Sequence, residues 1–130
     1  MKDDNKIVLV VEDDGLLRKI VSDRLGSMGY NVFQAEDGKE AIDAILDKKP
    51  HLVLLDLLIP KIDGFLVLDK VRNYPDKQIA NTPVVVLSNL WSDKDILRVK
   101  ALKIDEYFVK ANTDMEQVFE KVKTLLSKQI

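Results

Sequence analysis

The sequence predicts an α/β fold, a doubly wound parallel sheet made of five strand–helix units, and three observations lead to it. Strand-length apolar runs alternate with segments whose apolar residues recur at helical spacing, five times each. Three of the strand segments, IVLVV, LVLL and VVVL, are unbroken apolar runs, as expected of strands covered on both faces. The other two, NVFQA and EYFVK, mix polar with apolar residues, as strands at a sheet edge can.

The elements follow in order. Ile7 to Val11 is the first strand. A helix carrying Leu17, Ile20, Val21, Leu25 and Met28 comes next and stops at Gly29. Asn31 to Ala35 is the second strand, with Val32 and Phe33 on opposite faces. Asp37-Gly-Lys-Glu40 has the spacing of a capping box and opens the second helix, with Ala41, Ile42 and Ile45 on its apolar face. Pro50 ends that connection, and Leu52 to Leu55 is the third strand. A loop with Pro60 and a turn at Asp63-Gly64 lead to a helix from Phe65 to Arg72. Asn73 to Thr82, which contains Pro75, is the longest polar connection. Val84 to Leu87 is the fourth strand. Ser92 caps a helix carrying Ile96, Leu97, Val99 and Leu102. Glu106 to Val109 is the fifth strand, and Thr113-Asp-Met-Glu116 reads as a capping box for the last helix. There Met115, Val118, Phe119, Val122, Leu125 and Leu126 form one apolar stripe. Mixed strands outside and apolar strands inside give the flavodoxin-like order 2-1-3-4-5.

Composition limits the function classes. A chain of 130 residues is the size of one domain, taken here as residues 1–130, without repeat or interdomain linker, and it reads equally as a stand-alone domain or as one domain of a longer protein. Twenty basic and 22 acidic residues leave a net charge of −2, too little single-sign charge to hold nucleic acid or an anionic membrane. Without cysteine, disulfide, thiolate and Cys-metal chemistry are excluded. The start MKDDNKIVLVVEDD lacks the features of a signal peptide, and no apolar run reaches membrane-span length, so a cytoplasmic location is expected.

In this sheet order ligands bind beyond the carboxyl ends of the strands, where strands one and three diverge. Strand one ends in Glu12, Asp13 and Asp14, strand three in Asp56, strand four in Ser88 and strand five in Lys110. Carboxylates converging on one rim repel each other unless a cation sits among them. Oxygen donors with no His or Cys nearby point to a hard ion, Mg²⁺. A lysine and a hydroxyl complete a set suited to stabilising a phosphoryl group, with a carboxylate as the nucleophile.

Each residue alone has a plainer reading. Asp14 reads better as a helix N-cap than as a ligand. Glu12 and Asp13 match the acidic preference of a helix start. Ser88 could be a turn residue and Lys110 a solvated lysine. Asp56 resists such a reading, because a lone carboxylate directly after an apolar core strand is costly. The coincidence of all of them at the correct strand ends favours a site. His51, before strand three, is expected on the surface at the opposite rim, and Trp91 is a possible fluorescence probe.

The segments IVLVVEDD, LVLLDLLIPKIDGF, VVVLSN and DEYFVK together resemble the receiver domains of two-component response regulators, over Ile7 to about Leu126. The resemblance implies Asp56 as phosphoacceptor. It implies Asp13 as a direct Mg²⁺ ligand, Glu12 as a ligand partly through water, and the Leu58 backbone carbonyl as a further ligand. It implies Ser88 as the hydroxyl that bonds the phosphoryl group, Lys110 as its cationic partner, and Tyr107 as an aromatic switch. It further implies a histidine kinase or histidine phosphotransfer protein as donor. The output surface would be the Ser92-capped helix, strand five and the last helix, engaging a protein partner or a second copy. Such a domain is not an enzyme beyond its own phosphorylation and dephosphorylation. Three positions depart from the family pattern: Ala111 where proline is usual, Asn89 where Ala or Gly is usual, and Lys103-Ile104 where glycine commonly precedes the acidic pair. A trans Lys110–Ala111 bond is expected, since a cis bond before alanine costs about 2.5–4 kcal/mol.

Three rival functions remain. A degenerate receiver would act as a phosphorylation-independent interaction module. A small phosphatase or phosphotransferase would need an added acid/base, but two residues after Asp56 stands Leu58. A flavin-binding domain would need a Ser/Thr/Gly-rich phosphate loop, and the acidic EDDGLL would repel the flavin phosphate.

Overall fold

The computed structural model describes residues 6–90 and 92–129. Trp91, named above as a probe, lies outside the described residues. The sheet has five parallel strands in the order β2-β1-β3-β4-β5: β1 Ile7–Val11, β2 Asn31–Ala35, β3 Leu52–Leu55, β4 Val84–Ser88 and β5 Glu106–Val109. The helices are α1 Gly15–Ser27, α2 Gly38–Lys48, α3 Gly64–Arg72, α4 Lys77–Ala80, α5 Asp93–Lys100 and α6 Met115–Ser127, with a 3-10 turn at Lys110–Asn112.

The unbroken apolar runs have their explanation in two separate cores. Leu9, Val11, Val53, Leu55, Val84 and Val86 face one side, packed against Ala41 and Ile45 of α2, Val67, Leu68 and Val71 of α3, and Val99 of α5. Val8, Val10, Leu52, Leu54, Val85 and Leu87 face the other, against Val21 and Leu25 of α1 and Val118, Phe119, Val122 and Leu126 of α6. Each inner strand therefore needs apolar side chains at every position. The edge strand β2 splits Phe33 and Val32 between the two cores, as its alternation predicts.

Several expectations are corrected. The polar connection holds a one-turn helix, α4, capped by Asp76 and anchored by buried Ile79 and Ala80. Its anchor is long-range. Arg72 donates to the carbonyl oxygens of Ala80 at 2.9 Å, Thr82 at 2.7 Å, Leu102 at 2.7 Å and Lys103 at 3.0 Å. The last helix is capped by Asp114 rather than Thr113. Thr113 turns back to donate to the Val109 carbonyl at 2.7 Å, and Glu116 pairs with Arg24 on α1. Ile20 and Leu97, placed on apolar stripes by spacing, are 55% and 68% exposed. Helical periodicity ranks the faces of a helix but does not set how wide a strip the neighbouring elements cover. His51 is half-buried, its Nδ1 accepting the Ile7 N–H at 2.9 Å, so it ties β1 to β3 at the amino-end rim instead of lying free on the surface. Lys103 adopts φ 61°, so the left-handed backbone is kept there without glycine. No peptide bond among the described residues is cis, so Lys110–Ala111 is trans, as expected.

Candidate functional site

Glu12, Asp56, Ser88 and Lys110 are delivered to one rim by the sheet itself. Backbone pairing carries past the strand ends: the Glu12 N–H donates to the Ala35 carbonyl at 3.0 Å and the Asp56 N–H to the Val11 carbonyl at 3.1 Å. Leu55 is level with Val86 and Ser88 with Val109, so Lys110 is the first residue beyond the β4–β5 ladder. At the same rim Asp14 caps α1, its Oδ1 accepting the Leu16 and Leu17 N–H groups. It is the N-cap that its position implied.

Glu12 and Asp56 are buried, Asp13 is exposed, and one carboxylate oxygen of each lies within 4.8 Å of the others. The Lys110 ammonium bridges the two buried carboxylates, 2.6 Å from Glu12 Oε1 and 2.7 Å from Asp56 Oδ2. The second oxygens are held by backbone: Asp14 N–H donates to Glu12 Oε2 at 3.1 Å, and Leu58 N–H to Asp56 Oδ1 at 3.0 Å. Burial raises the Glu12 pKa, partly offset by its bond from Lys110. Burial alone would depress the Lys110 ammonium, but its bonds to Asp56 and Glu12 outweigh this and raise it. Three carboxylates against one ammonium leave a deficit of positive charge, and their oxygens are hard donors. That donor set fits a divalent hard cation.

Ser88 is fully buried, and its hydroxyl has no partner among the described residues. An unpaired buried hydroxyl costs roughly 1–3 kcal/mol, so its presence at the rim calls for a ligand oxygen or a functional reason. Tyr107 is half-buried, its ring against the core that holds Phe65 and Val99. Its hydroxyl donates to the Leu90 carbonyl at 2.5 Å. Leu58 is exposed.

Other residues shape the rim without having been singled out by sequence. Arg18 on α1 donates to the Glu12 backbone carbonyl at 2.8 Å and to the Gln34 side chain at 3.1 Å. Gly64 sits where a Cβ would overlap Leu57 Cα and the Asp56 carbonyl, so only glycine lets α3 begin this close to the site. Gly38 plays the same part across the loop: a Cβ there would overlap the Ile62 carbonyl. The Gly38 N–H donates to Pro60 at 3.1 Å, and Lys61 pairs with Asp37 at 3.2 Å, binding the loop after Asp56 to the start of α2. Gly38 stood in a recognised capping box and Gly64 in an expected turn, but nothing local in the sequence states what they approach.

Comparisons with known proteins agree with this fold. A family model described as the response regulator receiver domain matches residues 8–123. The chain is 36% identical over 103 residues to "Probable transcriptional regulator ycf27" of Porphyridium aerugineum, covering 79% of this chain and 41% of that protein. It is 34% identical over 119 residues to the DNA-binding dual master transcriptional regulator RpaA of Synechocystis sp., covering 92% of this chain and 48% of that one. It thus spans less than half of either relative. Its fold superposes on the receiver domain of Francisella response regulator 1452 with a TM-score of 0.84 at 28% identity, covering 95% of this chain and 98% of that one. On the BeF3-activated N-terminal receiver domain of Klebsiella pneumoniae RstA the TM-score is 0.79 at 27% identity, covering 93% and 98%.

Proposed function

Because this chain belongs to the response regulator receiver domain family, we propose that it works as a phosphoacceptor switch in which Asp56 takes a phosphoryl group from a phosphohistidine donor. The domain is a signalling module of two-component systems. The observation that carries the residue assignment is the convergence of Glu12, Asp13 and Asp56 with the Lys110 ammonium at one rim.

In the transfer, an Asp56 carboxylate oxygen forms a bond to phosphorus as the bond from phosphorus to the donor nitrogen breaks. The electron pair leaves with the imidazole. Hydrolysis later returns the carboxylate and inorganic phosphate. The Leu58 N–H, already on Oδ1, orients the carboxylate, leaving Oδ2 as the oxygen that Lys110 can surrender. The incoming group adds roughly −1.5 to −2 charge. Lys110 moves from pairing Asp56 to pairing a phosphoryl oxygen, and the orphan Ser88 hydroxyl donates to another. Glu12, Asp13, Asp56 and the Leu58 carbonyl would hold Mg²⁺, which when bound supplies charge neutralisation at the phosphoryl oxygens. Leu58 and Leu90, two residues beyond Asp56 and Ser88, offer no side-chain hydrogen bond to orient a hydrolytic water, which favours slow loss of phosphate.

The reading extends to partners. A histidine kinase or phosphotransfer protein serves as donor, and α5, β5 and α6 report the change to a protein partner or a second copy. Lys94, Asp95, Arg98, Glu106 and Glu116 mix charge signs on that surface, which suits a protein. RpaA is described as DNA-binding, so absence of nucleic-acid contact is proposed for this domain's own surface only. Among the described residues no helix is long and apolar enough to cross a membrane, and a cytoplasmic location is part of the same proposal.

The test is incubation with acetyl phosphate and Mg²⁺, followed by mass spectrometry. A single phosphoryl adduct on Asp56, absent in Asp56→Asn, supports the reading; undiminished labelling of that variant ends it. Titration calorimetry should show Mg²⁺ binding weakened by Asp13→Ala. A second reading, a phosphorylation-independent interaction module, draws on the Tyr107–Leu90 bond being made with Asp56 unmodified. It requires equal partner affinity with and without phosphorylation.

A further inference from the structure

The rim carries a hydrogen bond that the phosphoacceptor chemistry does not use. The Ala111 N–H donates to Asn89 Oδ1 at 3.1 Å. Asn89 directly follows Ser88 and Ala111 directly follows Lys110, so one bond joins the neighbours of the two residues proposed to grip the phosphoryl group. The β4–β5 ladder ends with Ser88 level with Val109, and the chain then leaves the sheet in the 3-10 turn at Lys110–Asn112. The Asn89 side-chain carbonyl stands in for the next ladder acceptor beyond that end. The following residue is tied as well, Leu90 accepting from Tyr107 at 2.5 Å.

Both partners are needed in kind. Alanine at 111 supplies an N–H that proline lacks, and asparagine at 89 supplies an acceptor that alanine or glycine lacks. Two of the three positions that depart from the pattern noted in the sequence are thus each other's partners.

We propose that Asn89 is a positioning residue: by fixing Ala111 it holds the backbone of Lys110 at the rim, so that the ammonium meets the phosphoryl group in register with Ser88. The proposal rests on the phosphoacceptor reading. Asn89 and Ala111 are both exposed, and an exposed hydrogen bond adds little to global stability. Its consequence is geometric and belongs to the rate.

The experiment is a double-mutant cycle on the full chain with Asn89→Ala, Ala111→Pro and both together. Ala111→Pro removes the donor but also restricts the backbone of Lys110 before it, inside the 3-10 turn, so Asn89→Ala is the cleaner single variant. Phosphorylation of Asp56 by acetyl phosphate at saturating Mg²⁺ should slow about 3- to 10-fold in each single variant, well inside the 100-fold reach of small misplacements. The double variant should be no slower than either single one. The Ala111 amide should exchange faster with solvent in Asn89→Ala, while the melting temperature stays near that of the wild type. A purely structural bond would shift the melting temperature and leave the rate alone. Wild-type rates in Asn89→Ala, additive losses in the double variant, or an unchanged Ala111 exchange rate would each overturn the role of Asn89 and leave the phosphoacceptor reading standing. Failure of the wild-type chain to label at Asp56 would overturn that reading and this role with it.

Discussion

Lys110 donates to Asp56 Oδ2 at 2.7 Å, across 54 residues of chain. The same ammonium holds Glu12, so in the unmodified protein one cation neutralises half of a pair of buried carboxylates. The pocket is built for more positive charge than it owns, and its stability and its chemistry share that imbalance.

Lys110→Met should therefore destabilise the metal-free protein by about 1–3 kcal/mol, less than the roughly 3–5 kcal/mol of breaking a fully buried pair because the ammonium is partly exposed. Excess Mg²⁺ should return part of the loss through binding to the folded state. Urea unfolding with EDTA and with Mg²⁺ checks this. Identical wild-type and variant stability under EDTA would count against it.

Ser88→Ala should separate stability from function. Removing a buried hydroxyl without a partner should leave unfolding free energy unchanged or raise it by about 1 kcal/mol, while phosphorylation of Asp56 slows. A clear loss of stability would mean that the hydroxyl has a structural partner.

Tyr107→Phe keeps the ring in its core and deletes only the donor to Leu90. Labelling of Asp56 should stay near normal, while phosphorylation-dependent amide shifts in α5 and β5 shrink. NMR spectra of both proteins before and after phosphorylation read the outcome, and unchanged shifts would remove Tyr107 from the coupling.

Asp37 makes a pH prediction away from the site. The Glu40 N–H, and then Lys61, hold its carboxyl below the ordinary 3.8 despite opposing burial. A depressed folded-state pKa contributes stability that is complete above the unfolded value and is lost as pH falls through the folded one. Asp37→Asn should thus cost stability at neutral pH, and the difference from wild type should close well below pH 3.8. Denaturation of both proteins across that range tests it, and a gap that persists in strong acid would contradict it.

The strand limits and their order were legible because the signals are local and redundant. Strands buried on both faces require apolar residues throughout, and Asn31–Ala35 and Glu106–Val109 reveal themselves as edges by failing that requirement. The rim residues were legible for a related reason. In a parallel sheet every strand's carboxyl end faces the same way, so a carboxylate, hydroxyl or lysine just past an apolar run has its location assigned before any contact is known. Asp14 as a cap follows from short-range hydrogen bonding, whereas Asp63-Gly64, expected as a turn, is the N-cap and first residue of α3.

Tertiary structure had to supply whatever depends on distant parts of the chain meeting. Ile20 and Leu97 sit on helical stripes that their neighbours do not cover. Thr113 yields the cap to Asp114 because Val109 claims its hydroxyl and Arg24 claims Glu116. Arg72 gathers four carbonyl oxygens, two from the α4 region and two after α5, and no local pattern announces it. Asn89 and Ala111 were visible as single departures, but their pairing exists only where β4 and β5 lie side by side. Periodicity and spacing are properties of a few neighbouring residues and survive in the sequence. A hydrogen bond across tens of residues depends on distances that folding alone creates.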